Sequence, residues 1–236
     1  MSVRNICPQN AIKCKKGIII HMKNENIMIF GDSYSTFAGC IPAGYAPYYS
    51  GRRERGPDIE SADQSWWGMM VNESGANLVR NDSWSGSTIG YTGYNNSDTS
   101  KTSSFIFRLE KLTQEGFFEN NKIDRVFVFG GTNDSWSNAP LGSEMSEGWE
   151  RIDLYNVLPA ISYFFTKLRE VLPDAKIYGI CNCDIKPEVT NAINSASEKV
   201  GGKAIVLEKI DKLNGHPTPL GMIQIKDQVL KAIAGE

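Results

Sequence analysis

Ile27-Met28-Ile29-Phe30-Gly31-Asp32-Ser33-Tyr34-Ser35 opens with four apolar residues in a row, too few for a helix and unbroken by polar alternation. Such a run fits a strand buried on both faces, as in a parallel sheet covered by helices. It delivers a serine, and in open α/β sheets ligands bind outside the carboxyl ends of the strands. Asp32 and Ser33 would equally suit a helix N-cap. The stretch therefore acquires chemical meaning only from what other strands bring to the same edge.

Further strands are expected at Leu78-Val79, Val126–Phe129, Lys176–Cys181 and Ala204–Leu207. Between them lie segments of helical character. Ser65–Val71 reads as a buried helix and Phe105–Phe118 as a second. A third steps by four and three through Leu154, Leu158, Ile161, Phe165 and Leu168, with Pro159 kinking it or marking its start. Pro187–Val200 is a fourth, and Thr218 with Pro219 opens a last one as N-cap and first-turn proline. Five strands alternating with helices predict a three-layer α/β/α sandwich on a five-stranded parallel sheet, with no repeat or linker to split it.

At 236 residues the chain suits one substantial core, and 41% hydrophobic with 22% charged residues is an ordinary globular composition. A net charge of -2 gives no electrostatic case for nucleic acid or an anionic membrane surface, and no apolar run approaches a membrane span. Five cysteines, an odd number without zinc-type pairing, read as reduced thiols and point to the cytoplasm. Cys7, Cys14 and His21 recur every seven residues, a spacing that structural zinc sites do not favour, so no metal is expected. Residues 1–21 are basic, with an apolar run too short for a secretory signal, and are expected to be a disordered leader before a single domain over 22–236.

Three loops stand out. Residues 37–63 hold Tyr45, Tyr48, Tyr49, Arg52, Arg53 and Arg55, either one wall of a substrate cleft or a packed surface loop. Residues 81–88, Asn-Asp-Ser-Trp-Ser-Gly-Ser-Thr, form a polar turn able to aim N–H groups at an anion. Gly130-Gly131-Thr132-Asn133-Asp134 follows the third strand and projects an amide at the sheet edge.

A serine needs a base to become a nucleophile at neutral pH, and histidine is the usual one. The chain has two histidines, and with His21 in the leader, His216 is left as the partner of Ser33. Donors for a developing oxyanion come from the backbone of Ser33, the backbone of Gly86 and the side chain of Asn133, each after a different strand.

Together these four elements resemble the SGNH (GDSL-type) hydrolase family. Gly31-Asp32-Ser33-Tyr34-Ser35 is similar to its first block, Gly86 within Ser85-Gly86-Ser87 to its second, Gly131-Thr132-Asn133-Asp134 to its third, and His216-Pro217 to its last. The resemblance implies a flavodoxin-like sandwich and a serine esterase without metal or organic cofactor. Ser33 would be the nucleophile, Gly86 and Asn133 oxyanion donors, and His216 the base, in a shallow, accessible site. The family usually places an aspartate three residues before the histidine, where this chain has Leu213. Asp211 is the nearest acid: either a wider turn lets it reach the ring, completing a Ser-His-Asp triad, or a backbone carbonyl orients the ring in a Ser-His dyad. We place Asp211 in the catalytic set.

Asp32, Tyr45, Trp84, Asp134 and Trp136 are the expected substrate contacts. The aromatic, polar loops and the absence of an apolar lid favour a short acyl group on a carbohydrate or other small polar alcohol. Two other readings use the same fold: a flavodoxin-like module binding a phosphate-bearing cofactor, and a catalytically silent carbohydrate-binding relative.

Overall fold

The computed structural model describes residues 22–52 and 59–234. The expectations for 1–21, including Cys7, Cys14 and His21, and for Arg53 and Arg55 lie outside the described residues.

In chain order the elements are β1 (Asn26–Gly31), α1 (Trp66–Ser74), β2 (Asn77–Ser83), α2 (Phe105–Gln114), α3 (Phe117–Asn120), β3 (Arg125–Phe129), α4 (Thr132–Trp136), α5 (Val157–Val171), β4 (Lys176–Cys181), α6 (Pro187–Lys199), β5 (Lys203–Val206), β6 (Lys212–Leu213), β7 (His216–Pro217) and α7 (Pro219–Ala232). The sheet of five parallel strands runs in the order β2-β1-β3-β4-β5. The chain leaves β1 toward β2 on one side and returns to β3 on the other, so a crevice opens at the carboxyl ends of β1 and β3.

Strand alternation sorts the core into two layers. Met28 and Phe30 of β1 and Val126 and Val128 of β3 face a cluster containing Leu109 of α2, Phe164 of α5 and Ile193 of α6. Ile27, Ile29, Phe127 and Phe129 face the opposite cluster, with Trp66 and Met70 of α1 and Met222 and Val229 of α7. Each such side chain withdrawn from water contributes roughly 1.5–3 kcal/mol. That is the physical content of the apolar runs read from the sequence.

Three local features differ from the expectation, and of the two readings of Pro159 the start of a helix is the one observed. β2 does not stop after Val79 but continues through Asn81, Asp82 and Ser83, all buried. These polar residues stay inside because each has a partner. Asn81 donates to the Ser35 carbonyl at 2.8 Å, Ser83 donates to Asn81, and Asp82 meets Arg108 at 2.7 Å. The segment expected as one helix over 105–118 is two, α2 and α3, because Gly116 takes φ +69° and caps the break. Pro159 lies in the first turn of α5, where an N–H would have no intrahelical acceptor. Finally, β6 and β7 form an antiparallel hairpin that pairs Lys212 with Pro217 and Leu213 with His216.

Candidate active site

β1 ends where side chains do not fit. A Cβ on Gly31 would lie 2.4 Å from Ser83 Oγ and 2.6 Å from Ser35 Cβ, so the strand turns there against β2. Asp32 caps the tight helical turn Ser33–Ser35, its Oδ1 accepting from the Tyr34 N–H at 3.0 Å. Ser33 thereby stands at the head of the turn, and its Oγ lies 3.0 Å from His216 Nε2. With Ser33 only 5% exposed, the hydroxyl is recessed beside the imidazole and does not stand proud of the surface.

His216 arrives on the β6–β7 hairpin, whose two-residue connection is Asn214-Gly215, with φ +51° and +79°. Positive φ at both positions is what a tight hairpin requires, and Asn-Gly is its strongest sequence signal. Three tyrosines hold this small hairpin. Tyr34 donates its hydroxyl to the Gly215 carbonyl at 2.5 Å, Tyr49 donates to the Pro217 carbonyl at 2.8 Å, and the Tyr48 ring stacks on the imidazole. Behind them Asn182 donates to the Tyr34 oxygen at 3.1 Å, and Lys212 reaches Asn182 and Asp184, each at 2.6 Å.

Asp211 is bonded to Thr218. The hairpin register places Leu213, not Asp211, across from His216. Asp211 instead exchanges bonds with Thr218: its carbonyl accepts the Thr218 N–H at 3.1 Å, and its carboxylate accepts the Thr218 hydroxyl. Thr218 in turn caps α7 by accepting from the Gly221 N–H at 3.1 Å. The group facing His216 Nδ1 at 3.2 Å is the Asn214 carbonyl, which can take the proton of that nitrogen and leave Nε2 as the base toward Ser33. Asp211→Asn, which can still accept from Thr218, should therefore change turnover by less than about tenfold, against the ten-thousandfold or so lost when an orienting aspartate is converted to asparagine. Steady-state kinetics on an aryl ester checks this, and a hundredfold drop would restore Asp211 to the catalytic set.

The oxyanion candidates converge on the same edge. Gly86 sits at φ +80° in the turn after β2, and Asn133 stands in α4 just after β3. Asn133 Nδ2 donates to the Ser87 carbonyl at 2.9 Å while its Oδ1 accepts from the Tyr94 hydroxyl at 2.9 Å. Both contacts fix the orientation of the amide and leave its second N–H for another acceptor. Among the described residues nothing accepts the N–H of Ser33 or of Gly86. Beneath the site, Arg108 from α2 joins the strand ends: it reaches Asp82, the Gly31 carbonyl at 3.3 Å and Ser87 Oγ at 3.2 Å. Arg108 went unread in the sequence, although a cation among the buried Phe105, Ile106, Leu109 and Leu112 signals a buried partner.

The two aspartates expected at the substrate are both buried and accept backbone N–H groups. Asp134 is 2% exposed and its carboxylate accepts the backbone N–H groups of Ile89 at 2.9 Å and Gly90 at 3.2 Å, tethering the segment after Gly86. Burial pushes its carboxyl up to about 6, opposed by those bonds. Asp32 is fully buried, and burial pushes its carboxyl up to about 7 against the Tyr34 N–H. A carboxyl raised in the folded state stabilises the fold below the unfolded value of 3.8, and that contribution is lost as pH rises through about 7. The wild type should thus lose stability relative to Asp32→Asn from about pH 5 to about pH 8, as read by denaturant midpoints. A difference independent of pH would remove the assignment.

The aromatic residues form the rim. Tyr45 and Trp84 pack together at 4.3 Å between ring centroids, and the Ser85 N–H donates to the Ala46 carbonyl, so the 37–52 loop is docked on the Gly86 turn. Trp136 lies against Gly215 and donates to the Asp184 carbonyl at 3.0 Å. Tyr45, Trp84 and Trp136 are all half-buried. No group of three or more His, Cys, Asp or Glu among the described residues is arranged to hold a metal ion.

Comparison with known proteins covers most of the chain. Solved structures described as GDSL-like lipases from Bacteroides ovatus and Bacteroides uniformis share 36% and 37% identity, each with a TM-score of 0.83. The alignments cover 90% of this chain and 99% of the first, and 91% of this chain and 98% of the second. An acetyl xylan esterase from Butyrivibrio proteoclasticus, at 18% identity and a TM-score of 0.57 over 91% of this chain and 64% of its own, shares the fold. No curated protein matches the chain. The family model for GDSL-like lipase/acylhydrolase matches residues 25–233, from the strand that leads to Ser33 through the hairpin of His216 into the last helix, and the chain belongs to that family of ester hydrolases.

Proposed function

We propose that this ester hydrolase works through an acyl-enzyme on Ser33, with His216 as general base and acid. The observation that carries it is the 3.0 Å contact between Ser33 Oγ and His216 Nε2, within reach for proton transfer. Ser33 Oγ attacks the ester carbonyl as its proton passes to Nε2, and the carbonyl oxygen becomes an oxyanion facing the N–H groups of Ser33, Gly86 and Asn133. The tetrahedral intermediate collapses, the bond to the alcohol oxygen breaks, and that oxygen takes the proton from His216. Water then attacks the acyl group, giving a proton to His216, and the bond to Ser33 breaks as Oγ regains a proton. The Asn214 carbonyl at Nδ1 supports the tautomer this cycle needs.

The substrate we assign is a short acyl group on a carbohydrate or other small polar alcohol. Tyr45, Trp84 and Trp136 offer apolar faces for a sugar ring, and the Tyr94 hydroxyl, on a side chain 40% exposed, adds a polar contact beside Asn133. Aryl esters of graded acyl length, followed by acetylated sugars, test this: activity should fall as the acyl chain lengthens. A preference for long chains would overturn the substrate class. Covalent labelling by a fluorophosphonate separates a working esterase from a silent binding relative, since only an activated Ser33 reacts. The free thiols of Cys40, Cys181 and Cys183 support a reducing, cytoplasmic setting, and no helix among the described residues is long and apolar enough to cross a membrane. We assign the catalytic unit to 22–236.

A further inference from the structure

The histidine stands on a hairpin of six residues, 212–217, with little core of its own. A ring on such a support has two freedoms that matter for proton transfer: the position of the hairpin and the rotation of the imidazole about its own bonds. Hydrogen bonds from Tyr34 and Tyr49 to the Gly215 and Pro217 carbonyls address the first. The second is addressed by Tyr48, whose ring lies 3.6 Å from the imidazole centroid and 6° from parallel, covering one face.

We propose that Tyr48 is the positioning residue that sets the plane of His216 and so aims Nε2 at Ser33, an inference that rests on the serine-histidine reading above. Tyr48 is itself referenced to the nucleophile. Its N–H donates to Thr36 Oγ1 at 2.8 Å, and the Thr36 hydroxyl donates to the Ser33 carbonyl at 3.1 Å. The stacking ring and the attacking serine therefore share a hydrogen-bonded chain of three residues, and a shift in one carries the other. The ring is further fixed edge-on by Tyr49, at 4.8 Å and 74°, and Tyr49 is the residue that grips the hairpin. The dipeptide Tyr48-Tyr49 thus holds the base both by its ring face and by the carbonyl beside it. Rotation of the imidazole out of this plane would lengthen the Nε2 to Oγ contact, and a displacement of about 1 Å in a reacting geometry costs on the order of a hundredfold in rate.

The proposal turns on the flat stacked ring, which gives the test its form. On p-nitrophenyl acetate, Tyr48→Phe should keep kcat within about twofold, while Tyr48→Leu should lower kcat by about tenfold or more with KM nearly unchanged. The rate of fluorophosphonate labelling should follow kcat. In a His21→Gln background the ring protons of His216 should resonate upfield by NMR, shielded by the stacked ring, and should move downfield in Tyr48→Leu but not in Tyr48→Phe. Should Leu lower the melting temperature by more than a few degrees, Tyr48→Met, which fills the space without a ring, takes its place in the comparison. The proposal is overturned by Leu and Met variants with wild-type kcat, by a Phe variant as impaired as Leu, or by His216 signals that do not move. These outcomes differ from failure of the underlying reading, in which the unsubstituted protein does not label at Ser33 at all.

Discussion

Ser33→Ala is expected to abolish hydrolysis of an activated ester and labelling by a fluorophosphonate while leaving the fold intact. The substitution removes the oxygen that faces His216 Nε2 at 3.0 Å and nothing from either core layer. The hydrogen bond lost is worth roughly 0.5–1.5 kcal/mol, a small fraction of the stability of a domain this size. The chemical loss is far larger, because without a nucleophile only oxyanion stabilisation and binding remain, and turnover should fall by at least about a thousandfold. Activity within a few-fold of wild type, in protein with an unchanged melting curve, would sink the serine mechanism.

Asn133→Ala should lower kcat by about a hundredfold to a thousandfold, the range for deleting one donor aimed at a developing oxyanion. The amide is held from both ends, by the Ser87 carbonyl on Nδ2 and the Tyr94 hydroxyl on Oδ1, so it requires no reorganisation when charge appears. Because the loss falls on the transition state, kcat and kcat/KM should drop together with KM little changed. A change confined to KM would make Asn133 a substrate-binding residue. Both comparisons use one aryl ester and one preparation of each variant, so they share a control.

Buried parallel strands lack a solvent face, so β1 and β3 show in the sequence as unbroken four-residue apolar runs. The carboxyl half of β2 was hidden for the opposite reason. Asn81, Asp82 and Ser83 look like a turn, and they stay in the strand because Arg108, 26 residues away from Asp82, and the Ser35 carbonyl supply what water would otherwise give. The residues of the candidate site were legible as chemistry: a strand-end serine, a glycine turn, an amide after two glycines and a histidine before a capped helix. Their supports were not, with the exception of Asn214-Gly215, whose hairpin signal was present in the sequence and would have put Leu213, not Asp211, across from His216.

The amino-acid sequence by itself determined the five parallel strands with the main helices between them, and its short motifs carried the resemblance to the family and the residue types at the carboxyl edge, because each of these follows from local periodicity or from motifs of a few residues. Only the tertiary structure decided what stands behind each group. It turned Asp32 and Asp134 inward as buried supports, gave the carboxylate of Asp211 to Thr218, set the Asn214 carbonyl at His216 Nδ1, and laid Tyr48 flat on the imidazole. Tyr48 and His216 are 168 residues apart, as are Tyr49 and Pro217, and they meet only through loops that carry no periodic pattern. The placement of such loops is set by long-range packing and hydrogen bonds that exist only once the sheet has brought the strand ends together.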